Sequence, residues 1–166
     1  LGLPLHDIHS VASFFVSRVD TEVDARLKQD GNSHLLGKAA IANAHLAYEA
    51  FLEMKRTPQW ISLALLGAHI QRPLWASTGV KDKSYSDDRY VVELVAPETV
   101  NTMPESTLDA VADHGNIRGE SISASLEQSR ADIAALAQLG IDLDEVADKL
   151  EQEGLAKFVT PWLQLI

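Results

Sequence analysis

Three short polar clusters in this chain have the residue types for ligand chemistry. Ser13, Ser17 and Arg18 close the apolar run 8–16. Ser77, Thr78 and Lys81 follow the run 70–76. Asn101 and Thr102 end the short run 99–103. Hydroxyls and backbone N–H groups, joined by one guanidinium and one ammonium, make a donor set suited to a phosphate. Arg offers a planar fork of donors and Lys a point charge. The same residue types also suit ordinary turns, with Arg18 and Lys81 simply solvated. Residue types alone leave both readings open.

Other chemistries find less support. His6 and His9 lie three apart without a third ligand nearby. His34, His45, His69 and His114 are scattered, so no metal site is expected. No G-x-S-x-G elbow, P-loop or G-x-G-x-x-G fingerprint occurs. Asp142, Asp144 and Glu145 read as an acidic helix start that suits the helix dipole. Trp75 reads as packing. A Schiff-base lysine needs a desolvated pocket to lower its pKa. Of Lys28, Lys38, Lys55, Lys81, Lys83, Lys149 and Lys157, none lies inside a strand-like apolar run. Lys157 has apolar neighbours but reads as helical.

The elements that must position the clusters follow from periodicity. Residues 8–16 are apolar, β-branched and aromatic, the pattern of a buried strand. Val19, Val23 and Leu27 have helical spacing. Gly31-Asn32-Ser33 is a break. An Ala-rich helix is predicted over 35–54, ended by Pro58. Residues 60–68 are apolar and ambiguous between helix and strand. A second strand is predicted at 70–76, then a turn at 77–81. A helix starts at 86–88 and stops before Pro97. Residues 99–103 form a third strand candidate, and Pro104 opens a helix at its first position. Gly115 and Gly119 mark a loop. Residues 125–166 read as three helices, broken near Gly140 and Gly154. Strands alternating with helices imply parallel βαβ units. Three strands alone would leave edges and faces bare, so the α/β pattern fits part of a larger sheet or barrel.

Composition narrows the classes further. The chain has 166 residues, 46% apolar and 23% charged, enough for one domain with a core. Its net charge of −10 argues against nucleic acid or an anionic membrane as partner. It leaves room for a small anion held by a few basic residues. There is no cysteine, hence no disulfide framework, which fits a reducing cytoplasm. No apolar run approaches the roughly 20 residues that span a bilayer, and no basic n-region opens the chain. The chain starts at Leu1 rather than Met, so Leu1 is expected to be an internal residue of a longer protein.

Three segments together carry a family resemblance. SFFVSR (13–18), within HSVASFFVSRVDTEVD, resembles the sixth-strand motif of transaldolases. RPLWASTGVK (72–81) resembles their seventh-strand motif. TVNTMP (99–104) resembles the eighth strand, with ADHG (112–115) after it. The likeness is to the long bacterial and plant-type subfamily and covers nearly the whole chain. It implies that residues 1–166 form one unit: the C-terminal part of a (β/α)₈ barrel, about three βα units plus C-terminal helices. It also implies a reaction, transfer of a dihydroxyacetone unit between sugar phosphates in the pentose phosphate pathway. The chemistry runs through a Schiff base on a fourth-strand lysine. The protonated imine is the electron sink, so no cofactor is called for. An Asp and a Glu from the first and third strands handle protons.

The resemblance assigns the substrate phosphate to Ser13, Arg18 and Ser77, and puts Phe15 and Asn101 in the cleft. One branch of the family has an Arg two residues after the seventh-strand serine. Here that position is Gly79, which leaves Lys81 as the substitute. The Schiff-base lysine and the carboxylates have no counterpart in this chain, so no catalytic residue is assigned to it. The expected partners are sugar phosphates, together with the missing first part of the barrel or another copy of the chain. The alternative is a non-catalytic partial barrel that binds a phosphate or a protein.

Overall fold

Three parallel strands and seven α-helices alternate along the chain in a computed structural model that describes residues 4–165. Leu1, on which the expectation of a longer protein rests, and Ile166 lie outside the described residues. Strands β1 (Val11–Phe15), β2 (Arg72–Ala76) and β3 (Val100–Asn101) form one sheet in that order. Helices α1 (Ser17–Gln29), α2 (Ala39–Lys55) and α3 (Pro58–Leu65) connect β1 to β2. Helix α4 (Arg89–Val92) connects β2 to β3. Helices α5 (Glu105–His114), α6 (Leu126–Gln138) and α7 (Leu143–Leu165) follow.

The register decides which side chains share a face. Val11 pairs with Arg72 and Phe15 with Ala76; Leu74 pairs with Val100 and Trp75 with Asn101. Side chains alternate along a strand. Pro73 and Trp75 are buried, and the Trp75 indole donates to the Leu94 carbonyl at 3.1 Å. On the other face, Val11 and Phe15 are 41% and 50% exposed. The sheet is therefore covered by helices on one side only.

The core lies between that covered face and the helices. It gathers Val16, Val23 and Leu27 with Ala40, Ala44 and Tyr48, then Trp75, Leu94 and Leu136. Alanines on α2 let it pack against both α1 and α6. Two buried carboxylates of α1 organise the start of α2. Asp20 accepts from Ala40 N at 2.7 Å and from the Tyr90 hydroxyl at 2.6 Å. Asp24 accepts from Gly37 N at 2.8 Å and from the Tyr85 hydroxyl at 2.7 Å. Gly37 has φ 69°, and an added Cβ would lie 2.6 Å from Arg89 and 2.7 Å from Tyr85, so only glycine fits.

The structure resolves or corrects several expectations. Residues 60–68 fall mostly in a helix: Thr57 caps α3 by accepting from Trp60 N at 3.3 Å, with Pro58 in the first position. The helix predicted from residue 35 starts at Ala39, because the 33–35 turn and the left-handed Gly37 come first. Pro104 is the N-cap of α5 rather than its first residue. The break near Gly140 is present, but the one expected at Gly154 is not: α7 runs unbroken through it.

Candidate functional site

Parallel pairing of β1, β2 and β3 brings the three polar clusters to one end of the sheet, on different faces. The ladder continues past the strands, with Val16 N donating to the Ala76 carbonyl and Ser17 N to the Ser77 carbonyl, each at 3.0 Å. Ser13 and Phe15, two residues apart, project from the open face of β1. Arg18 follows in the first turn of α1, its guanidinium 5.0 Å from the centre of the Phe15 ring.

Two cavities meet at Arg18. One, of about 390 Å³, is lined by Ser13, Phe15 and Arg18 together with Leu150, Gly154 and Leu155 of α7. The other, of about 330 Å³, is lined by Arg18 and Lys81 with Glu22, Glu153 and Lys157. Arg18 has no ion-pair partner among the described residues. Glu22 is already engaged by Lys149 at 2.7 Å and Arg26 at 2.9 Å, and these bonds hold its carboxyl below the usual carboxylate range. The cations on this cavity are thus not neutralised by Glu22.

The β2 end is strained. Ser77 has φ 54°, a left-handed conformation that costs a non-glycine residue about 1–3 kcal/mol. The bond from Ser17 N fixes its carbonyl, and its side chain lines neither of the two cavities. Ser17 itself is 1% exposed, and its hydroxyl has no partner among the described residues. It borders a further space of about 540 Å³ next to Lys81 and Tyr90. Gly79 also has a packing reason. A Cβ there would come within 3.0 Å of Pro104 Cγ, so an arginine at this position would need Pro104 to yield.

Asn101 is not brought to the same place. Opposite Trp75 in the register, it takes the helix-covered face. Its Oδ1 accepts from Thr78 at 2.8 Å, and its Nδ2 donates to the Tyr90 carbonyl at 3.2 Å. Lys157, which the sequence reading weighs only as a Schiff-base lysine, lines the second cavity with Arg18 and Lys81. Its signal is helical spacing, since Leu150, Gly154 and Lys157 recur four and three apart on one face of α7. Among the described residues, no group of three or more His, Asp or Glu could hold a metal ion. His9 and His69 stack at 4.1 Å beside Arg72, at the opposite end of the sheet. No helix among the described residues is long and apolar enough to cross a membrane.

A sequence profile of the Transaldolase/Fructose-6-phosphate aldolase family matches residues 5–166. The chain belongs to this family. Curated relatives agree with it. The chain is 58% identical over 168 residues to Transaldolase 1 of Streptomyces avermitilis, covering 99% of this chain and 44% of the relative. It is 57% identical over 166 residues to a transaldolase of Acidothermus cellulolyticus, covering 99% and 45%. A transaldolase of Thermobifida fusca is 53% identical over 168 residues, covering 99% and 46%. The chain thus spans less than half the length of these transaldolases. The family fold is a TIM barrel, and the three-stranded parallel sheet with its helices is part of one. Arg18 and its two cavities lie at the C-terminal ends of the strands, the side on which such barrels carry their sites.

Proposed function

We propose that this chain is the C-terminal part of a transaldolase and carries its grip on the substrate phosphate. The reaction is transfer of a dihydroxyacetone unit between sugar phosphates in the pentose phosphate pathway, through a lysine Schiff base. The lysine and its carboxylate partners come from outside these residues, and the chain alone is inactive. Ser13, Arg18 and Lys81 serve the phosphate and Phe15 walls the cleft, while Ser77, whose carbonyl accepts from Ser17 N, positions the start of α1. The absence of cysteine is in keeping with a cytoplasmic enzyme.

One observation carries this reading. Arg18 stands at a strand's C-terminal end and is common to a largely apolar cavity behind Phe15 and a cationic cavity shared with Lys81. A sugar phosphate needs that combination: a shaped wall for the carbon chain and a forked donor for the phosphate oxygens.

The test is Arg18→Ala in the full-length enzyme. Loss of a charged hydrogen bond of about 1.5–3 kcal/mol should raise KM for fructose 6-phosphate roughly ten- to a hundredfold. Lys81→Ala should cost less, because the Lys81 ammonium stays hydrated. Dihydroxyacetone, which has no phosphate, should respond little to either change. Equal damage to both substrates would make Arg18 structural.

A further inference from the structure

We propose that Lys157 of α7 is a third phosphate-binding cation, completing with Arg18 and Lys81 the site described above. The proposal rests on the transaldolase reading for its substrate, but its argument is geometric. The cavity of about 330 Å³ is lined by all three cations. They come from three separate places in the chain: the first turn of α1, the loop after β2, and α7. Such convergence runs against the composition, since the chain has 14 Lys and Arg against 24 Asp and Glu.

The carboxylates on this cavity leave the positive charge largely unspent. Glu22 is held by Lys149 and Arg26, which do not line the cavity. Glu153 is one helical turn from Lys157, but its nearest oxygen is 3.9 Å from Nζ, at the outer limit of an ion pair. An exposed pair of that length holds the lysine only weakly. Three like charges around one small space repel one another unless an anion sits among them. A dianionic phosphoryl group supplies the missing charge, and its oxygens can accept from a guanidinium and two ammonium groups at once.

Gly79 gives the arrangement a chemical reason. Here Pro104 closes on Gly79, and no side chain enters from that loop position. Lys81 and Lys157 supply the charge from either side instead. Lys157 is a binding and specificity residue; it takes no part in bond making.

The experiment is Lys157→Ala and Lys157→Arg in the full-length enzyme, with two readouts. The first is kcat/KM for fructose 6-phosphate relative to dihydroxyacetone. Lys157→Ala should lower that ratio roughly three- to tenfold, and Lys157→Arg should keep most of it. The second is titration with inorganic phosphate, whose affinity should fall by a similar factor in the Ala variant alone. Equal losses on both substrates, or unchanged phosphate affinity in Lys157→Ala, would overturn the proposal. An enzyme without aldol transfer would instead overturn the transaldolase reading, and the phosphate titration would still decide the role of Lys157.

Discussion

The buried carboxylate Asp20 shows how single residues hold this fold. It is 2% exposed, and burial raises its pKa, opposed by the bonds from the Tyr90 hydroxyl and Ala40 N. Tyr90→Phe removes the hydroxyl and leaves Asp20 Oδ2 without that donor. The variant should lose about 1–3 kcal/mol, the penalty for an unsatisfied buried group. Tyr85→Phe should lose less, because Tyr85 is more exposed. Urea unfolding of the three proteins measures this, and a Tyr90→Phe midpoint equal to wild type would contradict it. His45 makes a pH prediction. Its Nε2 faces the Glu93 carbonyl at 3.1 Å and its Nδ1 the Ser129 hydroxyl at 2.8 Å, which suits a neutral ring with the proton on Nε2. Desolvation lowers its pKa below 6.5, against smaller upward pulls from the Glu93 carbonyl and Glu120. As pH falls through the ordinary value, the unfolded chain takes up the proton first. Stability should therefore drop below about pH 6.5 and be fully present above it. His114 works in the opposite sense, since Asp87 and Asp113 raise its pKa, but it is exposed and screened. The unfolding midpoint of His45→Gln should depend less on pH between about 5 and 7. An unchanged slope would assign the dependence to another group.

At the scale of elements, α7 is where local propensity and tertiary structure disagree. Gly154 is a poor helix residue and Pro161 removes the donor that would bond the Lys157 carbonyl, yet the helix spans both. Its first half is anchored by buried Val146 and by Leu150 against the core. Gly154 has no heavy atom within 4 Å of an ideal Cβ. Gly154→Ala should therefore stabilise the protein by about 0.5–1 kcal/mol without a clash. Thermal unfolding tests this, and a destabilised variant would mean that the cavity beside α7 needs the missing side chain. The same contrast explains what could be read in the sequence. The three strands were legible because each is a short apolar run closed by polar residues. Residues 60–68 were ambiguous because apolar residues on all sides give no period, although Thr57-Pro58 carried a capping signal. Ser13, Phe15 and Arg18 were legible as one contiguous motif on one strand and turn. The face taken by Asn101 was not, because β3 has two residues and its parity is set only by pairing with Trp75. Helical spacing puts Lys157 on one face with Leu150 and Gly154, but tertiary packing is what makes that face line the cavity of Arg18, and local periodicity does not encode it.

At the scale of the whole molecule, the sheet is unfinished among the described residues. β1 and β3 each pair only with β2, which leaves two open edges. A closed barrel has none, and an exposed edge is a template for pairing with another chain. The uncovered face adds Val11 and Phe15. Beyond it, α7 exposes Phe158 at 80% and Trp162 at 65%, and α3 ends in Leu65 at 84%. Apolar surface on this scale is uncommon on a stable monomer. The isolated 166-residue chain should therefore self-associate at micromolar concentration rather than remain a monomer. Sedimentation velocity over a concentration series would show mass above the monomer value of 18.1 kDa. Supplying the first half of a related transaldolase by co-expression should suppress that association, because its strands would take the open edges and its inner side chains would cover Phe15. Deleting α7 beyond residue 154 separates the two causes: if edges dominate, self-association persists without the helix; if the apolar helix dominates, it disappears. A monodisperse monomer with a sharp, cooperative melt would show that three βα units can close their own core and that the open edges carry no drive to pair.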